Sequence, residues 1–198
     1  MGRIGWFMLK AKPAISDDEL LARVTLANAI MPPPRGGVPT VYYGDEQGFT
    51  GDGDYADSRE DMFPSQVASY NDNRLVGSTA KGPMSAFKTD SVLYQRIAEP
   101  LSKLRVGNAG PARRSPGGPR CRGASPACWR SRASLGKIEV LAVFNTSDQP
   151  LTANVSVEVG SVAWRALHGA CAATVAAPGS YAIALAPLDY KICVSEGR

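Results

Sequence analysis

Residues 37–48 read GVPTVYYGDEQG, and this stretch is the strongest indication of the fold class. Val38–Tyr43 is a short run of apolar, β-branched and aromatic residues between Gly37 and Gly44. Such a run is typical of a strand that is buried on both faces in a parallel sheet. Two carboxylates, Asp45 and Glu46, follow it directly. The stretch therefore predicts a buried strand that ends in an acidic turn.

A helix is predicted immediately before this strand. Ser16 and Glu19 have the spacing of a capping box, in which each side chain satisfies an amide at the helix start. Apolar residues then recur at helical spacing, and three prolines end the helix. The apolar positions are Leu20, Val24, Ala27 and Met31, and the prolines are Pro32, Pro33 and Pro34. Helix followed by strand is typical of an α/β barrel or a doubly wound sheet.

Residues 44–89 are rich in Gly, Asp, Asn and Ser and predict a long loop, which in a compact domain is usually functional. A further helix is predicted over Asp90–Arg105, and Pro100 should kink or shorten it. After Ser134 the hydrophobic period becomes that of short strands separated by turns, which predicts an antiparallel β-sandwich. The strand candidates are Ile138–Phe144, Ala153–Val159, Val162–Leu167, Tyr181–Ala186 and Asp189–Val194.

Charge and hydropathy exclude two classes of partner. The net charge of +4 depends on residues 106–134, which hold six arginines and no acidic residue. The rest of the chain has sixteen basic residues against eighteen acidic ones, so nucleic-acid binding is not expected. No apolar run reaches the ~20 residues of a membrane span. The cellular compartment stays undetermined.

The cysteines and the single histidine give no metal site. Without a CxxC spacing, zinc is not expected, and Asp52–Asp57 departs from the register of a calcium loop. No metal or other cofactor is therefore predicted. A disulfide between Cys171 and Cys193 and a pair of buried free thiols are both compatible with the sequence.

The stretch GVPTVYYGDEQG resembles the eighth barrel strand of the α-amylase family of glycoside hydrolases. ADSREDMF (residues 56–63) resembles the loop after that strand, and Leu104-Arg105 the end of the last barrel helix. VLAVFNTS (residues 140–147) is similar to the first strand of the family's C-terminal sandwich. The resemblance implies that residues 1–105 are the last part of a (β/α)8 barrel. Residues 135–198 would then be a small antiparallel β-sandwich.

The resemblance also implies what the chain lacks. In the family a segment like MGRIG (residues 1–5) can directly follow the Asn-His-Asp motif of the seventh strand. The three catalytic carboxylates and the active-site histidines would then lie upstream, so no catalytic residue is assigned. The implied partners are an α-glucan or another α-glucoside and the missing N-terminal barrel portion. The alternative is a non-catalytic carbohydrate-binding or accessory module built on the sandwich, where Trp129 and Trp164 are the aromatic candidates.

Five residues are candidate substrate contacts. In the family, an arginine of the loop after the eighth strand and an acid shortly before it contact sugar hydroxyls. Arg59 is the matching arginine, and Asp54 or Asp57 the acid, although the spacing differs by a residue or two. Asp45 and Glu46 would line the barrel mouth. The alternative is a loop closed by salt bridges with no ligand.

Residues 106–134 match neither domain, because arginines mix there with Pro, Gly, Ser and two cysteines at no regular period. A basic linker and a coding stretch read out of frame are the two interpretations. Either predicts an irregular segment that buries too little apolar surface to order itself.

Overall fold

The computed structural model describes residues 3–30, 41–53, 55–61, 65–78, 91–97, 113–114, 128–135 and 137–196. These residues form two compact units, one with the described residues up to 97 and one with those from 113 onward. No helix among them is both long enough and apolar enough to cross a bilayer.

The first unit is built on two helices, α1 (Ile4–Ala11) and α2 (Asp17–Ile30). The predicted helix after Ser16 is confirmed, and the Ser16 hydroxyl accepts a hydrogen bond from the Glu19 amide at 3.3 Å. Glu19 was expected to reach back to the helix start, but its carboxylate pairs with Lys12 and Arg23. Helix α1, in contrast, was not predicted from its short apolar patch.

Around these helices lies one apolar core, to which residues from distant parts of the sequence contribute. Its buried members are Ile15, Leu20, Leu21, Val24, Val76, Leu93 and Ile97. Leu93 and Ile97 belong to residues 92–97, which are helical as predicted, with the Ser91 hydroxyl accepting from the Tyr94 amide at 3.2 Å. The rest of that predicted helix, including Pro100, lies outside the described residues.

The predicted buried strand over Val38–Tyr43 is wrong for its described part. Residues 41–43 have no strand structure, and the side chains of Val41 and Tyr42 are 55% and 38% exposed. Residues 38–40 lie outside the described residues. A central strand needs paired neighbours for its backbone amides and carbonyls, and no described strand of this unit offers them.

The second unit is an antiparallel β-sandwich. A five-stranded sheet has the order β1-β2-β3-β7-β5, and a two-stranded sheet pairs β4 with β6. The strands are β1 (Arg113–Arg114), β2 (Cys128–Leu135), β3 (Ile138–Asn145), β4 (Leu151–Ser156), β5 (Trp164–His168), β6 (Ser180–Leu185) and β7 (Tyr190–Ser195). All five strands predicted after Ser134 are therefore confirmed, with ends shifted by a few residues.

Side chains from both sheets fill the sandwich core, among them Leu141, Val155, Trp164 and Ile183. The indole amine of Trp164 donates to the Ser161 carbonyl at 2.8 Å. One of the two cysteine alternatives is realised, because Cys171 and Cys193 form a disulfide that ties the segment after β5 to β7.

The expectation that all of residues 106–134 are irregular is wrong for β2. Cys128–Leu135 pairs with β3 along eight consecutive positions, and Arg113–Arg114 pairs with β2. Backbone hydrogen bonding to a strong apolar neighbour orders a strand whose own side chains carry no regular period. The other residues of 106–134 lie outside the described part of the chain.

Candidate functional site

The loop that was predicted to carry the site is organised around Arg3. The Nη1 atom of Arg3 donates to the Tyr43 carbonyl at 2.6 Å and lies 3.4 Å from the Asp45 carboxylate. Its Nε atom lies 3.0 Å from Oε2 of Glu60, and the side chains of both Arg3 and Glu60 are fully buried. One guanidinium thus joins the start of α1 to both ends of the 43–60 loop.

Three aromatic rings surround the guanidinium of Arg3. Its central carbon lies 4.9 Å from the ring centre of Tyr42, and 5.1 Å from those of Tyr43 and Phe49. A guanidinium is weakly hydrated and stacks on aromatic faces, so this surrounding suits arginine and not lysine. Nη2 of Arg3 is buried and has no hydrogen-bond acceptor among the described residues.

Glycines give the loop its shape. Gly44 has a φ of 86°, and a Cβ there would lie 2.3 Å from the Phe49 ring. The Gly44 carbonyl accepts from the amides of Gln47 and Phe49, which closes the turn around the short 3₁₀ helix Asp45–Gln47. Only glycine fits this backbone conformation at such a close approach. The turn places Asp45 against Arg3.

Two carboxylates, Asp45 and Glu60, share one buried cation, Arg3, and the pKa of each is raised. The pKa of Asp45 is raised to about 6, because burial, together with the nearby Glu46, outweighs the lowering effect of Arg3. Burial also raises the pKa of Glu60, opposed by Arg3 and by the Asn73 amide, which donates to Oε1 at 2.9 Å. Since one cation compensates only one negative charge, the cluster favours an extra proton below neutral pH.

The structure separates the predicted site residues into two sets. Asp45 lies in the buried cluster, and Glu46 turns back so that its carboxylate accepts from the Gly44 amide at 3.4 Å. Asp57 and Arg59 lie on the exposed part of the loop. The guanidinium of Arg59 lies over the Tyr55 ring, 5.0 Å from its centre. Asp54 is outside the described residues.

Arg3, Glu60 and Asn73 were not predicted as site residues. Arg3 and Glu60 are 57 positions apart, and neither periodicity nor local spacing connects them. The available signal was that both occur inside the segments that carry the family resemblance, MGRIG and ADSREDMF. Throughout the described ranges, no group of three or more His, Cys, Asp or Glu side chains has an arrangement that could hold a metal ion.

A helical unit with a polar loop, followed by an antiparallel sandwich, is the order that the sequence motifs predict for the C-terminal part of an α-amylase-type enzyme. A scan against protein-family profiles finds no match. An α-amylase of Streptomyces lividans, however, is 44% identical over 108 residues, which are 54% of this chain and 12% of that protein.

Solved structures agree on the fold. An Anoxybacillus α-amylase has a TM-score of 0.66 at 17% identity and is matched over 100% of this chain and 36% of its own. AmyP in complex with maltose has a TM-score of 0.62 at 16% identity, over 99% and 39% of the two chains. The α-amylase of H. orenii has a TM-score of 0.53 at 18% identity, over 90% and 37%.

By these comparisons the chain is similar in sequence to part of an α-amylase and similar in fold to part of the solved α-amylase structures. It spans about a third of the solved chains and a smaller part of the Streptomyces protein. This coverage is consistent with the C-terminal fragment that the sequence predicts.

Proposed function

We propose that this chain is the C-terminal part of an α-amylase-family enzyme that acts on α-glucosidic bonds, and that it contributes substrate contacts but no catalytic carboxylate. The 44% identity over 108 residues to a Streptomyces lividans α-amylase carries this proposal. In the proposal, residues 1–105 are the last part of a (β/α)8 barrel whose strands are supplied largely by an N-terminal portion. Residues 135–198, extended by β2, form the C-terminal sandwich.

The substrate side of the proposal rests on Arg59, with Asp57 and Asp54 as acidic partners. Arg59 and Asp57 are exposed, on a turn that follows the buried Arg3 cluster. A guanidinium presents several N–H donors in a rigid plane, which suits hydrogen bonding to neighbouring sugar hydroxyls. Asp45 and Glu46 are the other candidate contacts; Asp45 lies beside Arg3, and the Glu46 carboxylate accepts from the Gly44 amide.

The chemistry supports inactivity of the chain alone. Retaining glycoside hydrolysis needs a nucleophilic carboxylate and a proton donor, about 5–5.5 Å apart, on either side of one bond. Asp45 and Glu60 both approach one buried guanidinium, and the carboxylate of Glu60 has no exposed surface. A buried carboxylate that is paired with an arginine has no access to a glycosidic bond.

The test is to incubate the purified chain with starch, maltooligosaccharides, trehalose and sucrose and to measure released sugar. No turnover is expected. Turnover that survives both Asp45→Asn and Glu46→Gln would indicate a contaminating enzyme. Turnover that either substitution abolishes would show that the chain holds a catalytic site and would overturn the proposal.

The second candidate, a carbohydrate-binding module built on the sandwich, is supported by the separate core of that unit. Trp164 does not favour it, because its side chain is buried against Tyr181 and is only 3% exposed. Binding of a soluble glucan that is unaffected by Arg59→Ala, but lost after substitutions on the sandwich surface, would favour this candidate.

A further inference from the structure

Tyr55 combines two features that stability alone does not explain. It is 67% exposed, a larger fraction than that of the other exposed aromatic residues in the described part of the chain, Phe7 and Tyr42. Its φ is +55°, a left-handed conformation that is uncommon for bulky residues and costs free energy. Residues with an unfavourable backbone conformation cluster at functional sites, so these two features together indicate a functional role for Tyr55.

The surrounding turn holds this conformation in place. The buried hydroxyl of Ser58 donates to the Tyr55 carbonyl at 2.8 Å, and the Asp52 amide donates to the Asp57 carbonyl at 3.1 Å. Gly51 allows a close approach, since a Cβ there would lie 3.0 Å from the Cα of Ser58. The turn therefore holds the backbone of Tyr55 in this conformation.

Arg59 and Tyr55 together form one chemical surface. The guanidinium carbon of Arg59 lies 5.0 Å from the centre of the ring, and both side chains are exposed, as is that of Asp57, which lies between them in the sequence. An aromatic ring offers an apolar face, while the guanidinium offers donors and the carboxylate acceptors. A pyranose needs this combination, because it has an apolar C–H face and a rim of hydroxyl groups.

We propose that Tyr55 is a sugar-stacking residue that binds one glucose ring of an α-linked oligosaccharide, beside Arg59. This inference rests on the proposed function and deepens it, because it assigns the apolar half of the contact to a residue outside the motif match. Rigid aromatic side chains supply contact area at low entropic cost, and the preformed turn lowers that cost further.

The alternative role for Tyr55 is structural, in which its ring only holds Arg59 and the turn in place. The two roles predict opposite effects of Tyr55→Gly. Glycine adopts a positive φ without strain, so a sugar-stacking Tyr55 can be removed with an unchanged or raised melting temperature. If the ring supports the turn, the same change lowers the melting temperature.

The experiment measures maltotriose binding to the full 198-residue chain by saturation-transfer NMR and titration, together with melting temperatures. We expect Tyr55→Gly to weaken binding about tenfold without lowering the melting temperature, and Tyr55→Phe to bind like the wild type, because the ring is retained. Phe7→Ala is the matched control, since Phe7 is an exposed aromatic residue of α1. It should leave the affinity unchanged.

Each other outcome contradicts a specific claim. Wild-type binding that persists in Tyr55→Gly overturns the stacking role and leaves the proposed function standing. A lower melting temperature together with weaker binding in Tyr55→Gly assigns the ring to the structural role and also overturns the inference. A wild-type chain that binds no maltotriose at millimolar concentrations overturns both the inference and the substrate side of the proposed function.

Discussion

Replacing Arg3 with methionine should destabilise the first unit strongly at alkaline pH. Methionine keeps an unbranched apolar stem between the three rings but removes the charge. It leaves Glu60, whose side chain is fully buried, and Asp45, whose side chain is 12% exposed, without a cation. Removing one partner of a buried ion pair costs about 3–5 kcal/mol. The lost hydrogen bond to the Tyr43 carbonyl falls within this figure. We therefore expect Arg3→Met to lower the free energy of unfolding by about 4 kcal/mol at pH 8.

The loss should shrink on acidification, because the carboxyl groups of the variant can take up protons instead of staying charged without a partner. Urea unfolding, monitored by circular dichroism at pH 8 and at pH 5, measures the loss of unfolding free energy at each pH. Arg23→Ala is the control: its pair with Glu19 is exposed to solvent, so its loss of stability should be far smaller than that of Arg3→Met. Adding Glu60→Gln to Arg3→Met should recover part of the loss. A loss at pH 8 as small as that of Arg23→Ala would refute the reasoning.

Three further predictions concern single features. The pKa of Asp45 is raised to about 6, so wild-type stability should fall as the pH rises from 4 to 6. Asp45→Asn should lack this slope and be more stable than the wild type by at most roughly 3 kcal/mol at pH 8. Parallel pH profiles of the two proteins in urea unfolding would contradict this prediction. The Cys171–Cys193 disulfide spans 22 residues, so Cys171→Ser with Cys193→Ser should cost roughly 3 kcal/mol; equal urea midpoints for this variant and the oxidised wild type would speak against that role. Strand β2 pairs with β3 at eight positions, so its central amides should be protected in hydrogen exchange, whereas exchange at the rate of an unstructured peptide would contradict the sheet order.

Regular periods and local caps made the confirmed elements predictable. Ser16 and the apolar spacing after it indicated α2, and the strand period with turn signals indicated strands at Ala153–Val159 and Tyr181–Ala186, which the structure places at Leu151–Ser156 and Ser180–Leu185. In both strands buried and exposed residues alternate, as a sheet with one solvated face requires. Such signals are local, so the sequence contains them in full.

The features that the sequence did not predict depend on partners distant in the chain. Strand β2 is ordered by backbone pairing with β3, which its arginine-rich sequence does not indicate. The Arg3–Glu60 pair joins residues that only the folded loop brings together. The run Val38–Tyr43 shows the reverse case, because its apolar composition indicated a strand whereas residues 41–43 have none in the structure. Composition does not show whether neighbouring strands are present.

The most direct test of the central claim is a chimaera. The 108-residue stretch of the Streptomyces lividans α-amylase that aligns with this chain is replaced by the matching residues of this chain, and starch hydrolysis is measured. If the chain is the non-catalytic C-terminal part of such an enzyme, the chimaera hydrolyses starch while the chain alone does not. A chimaera that folds like its parent but releases no sugar, or a chain that releases sugar by itself, would contradict the account.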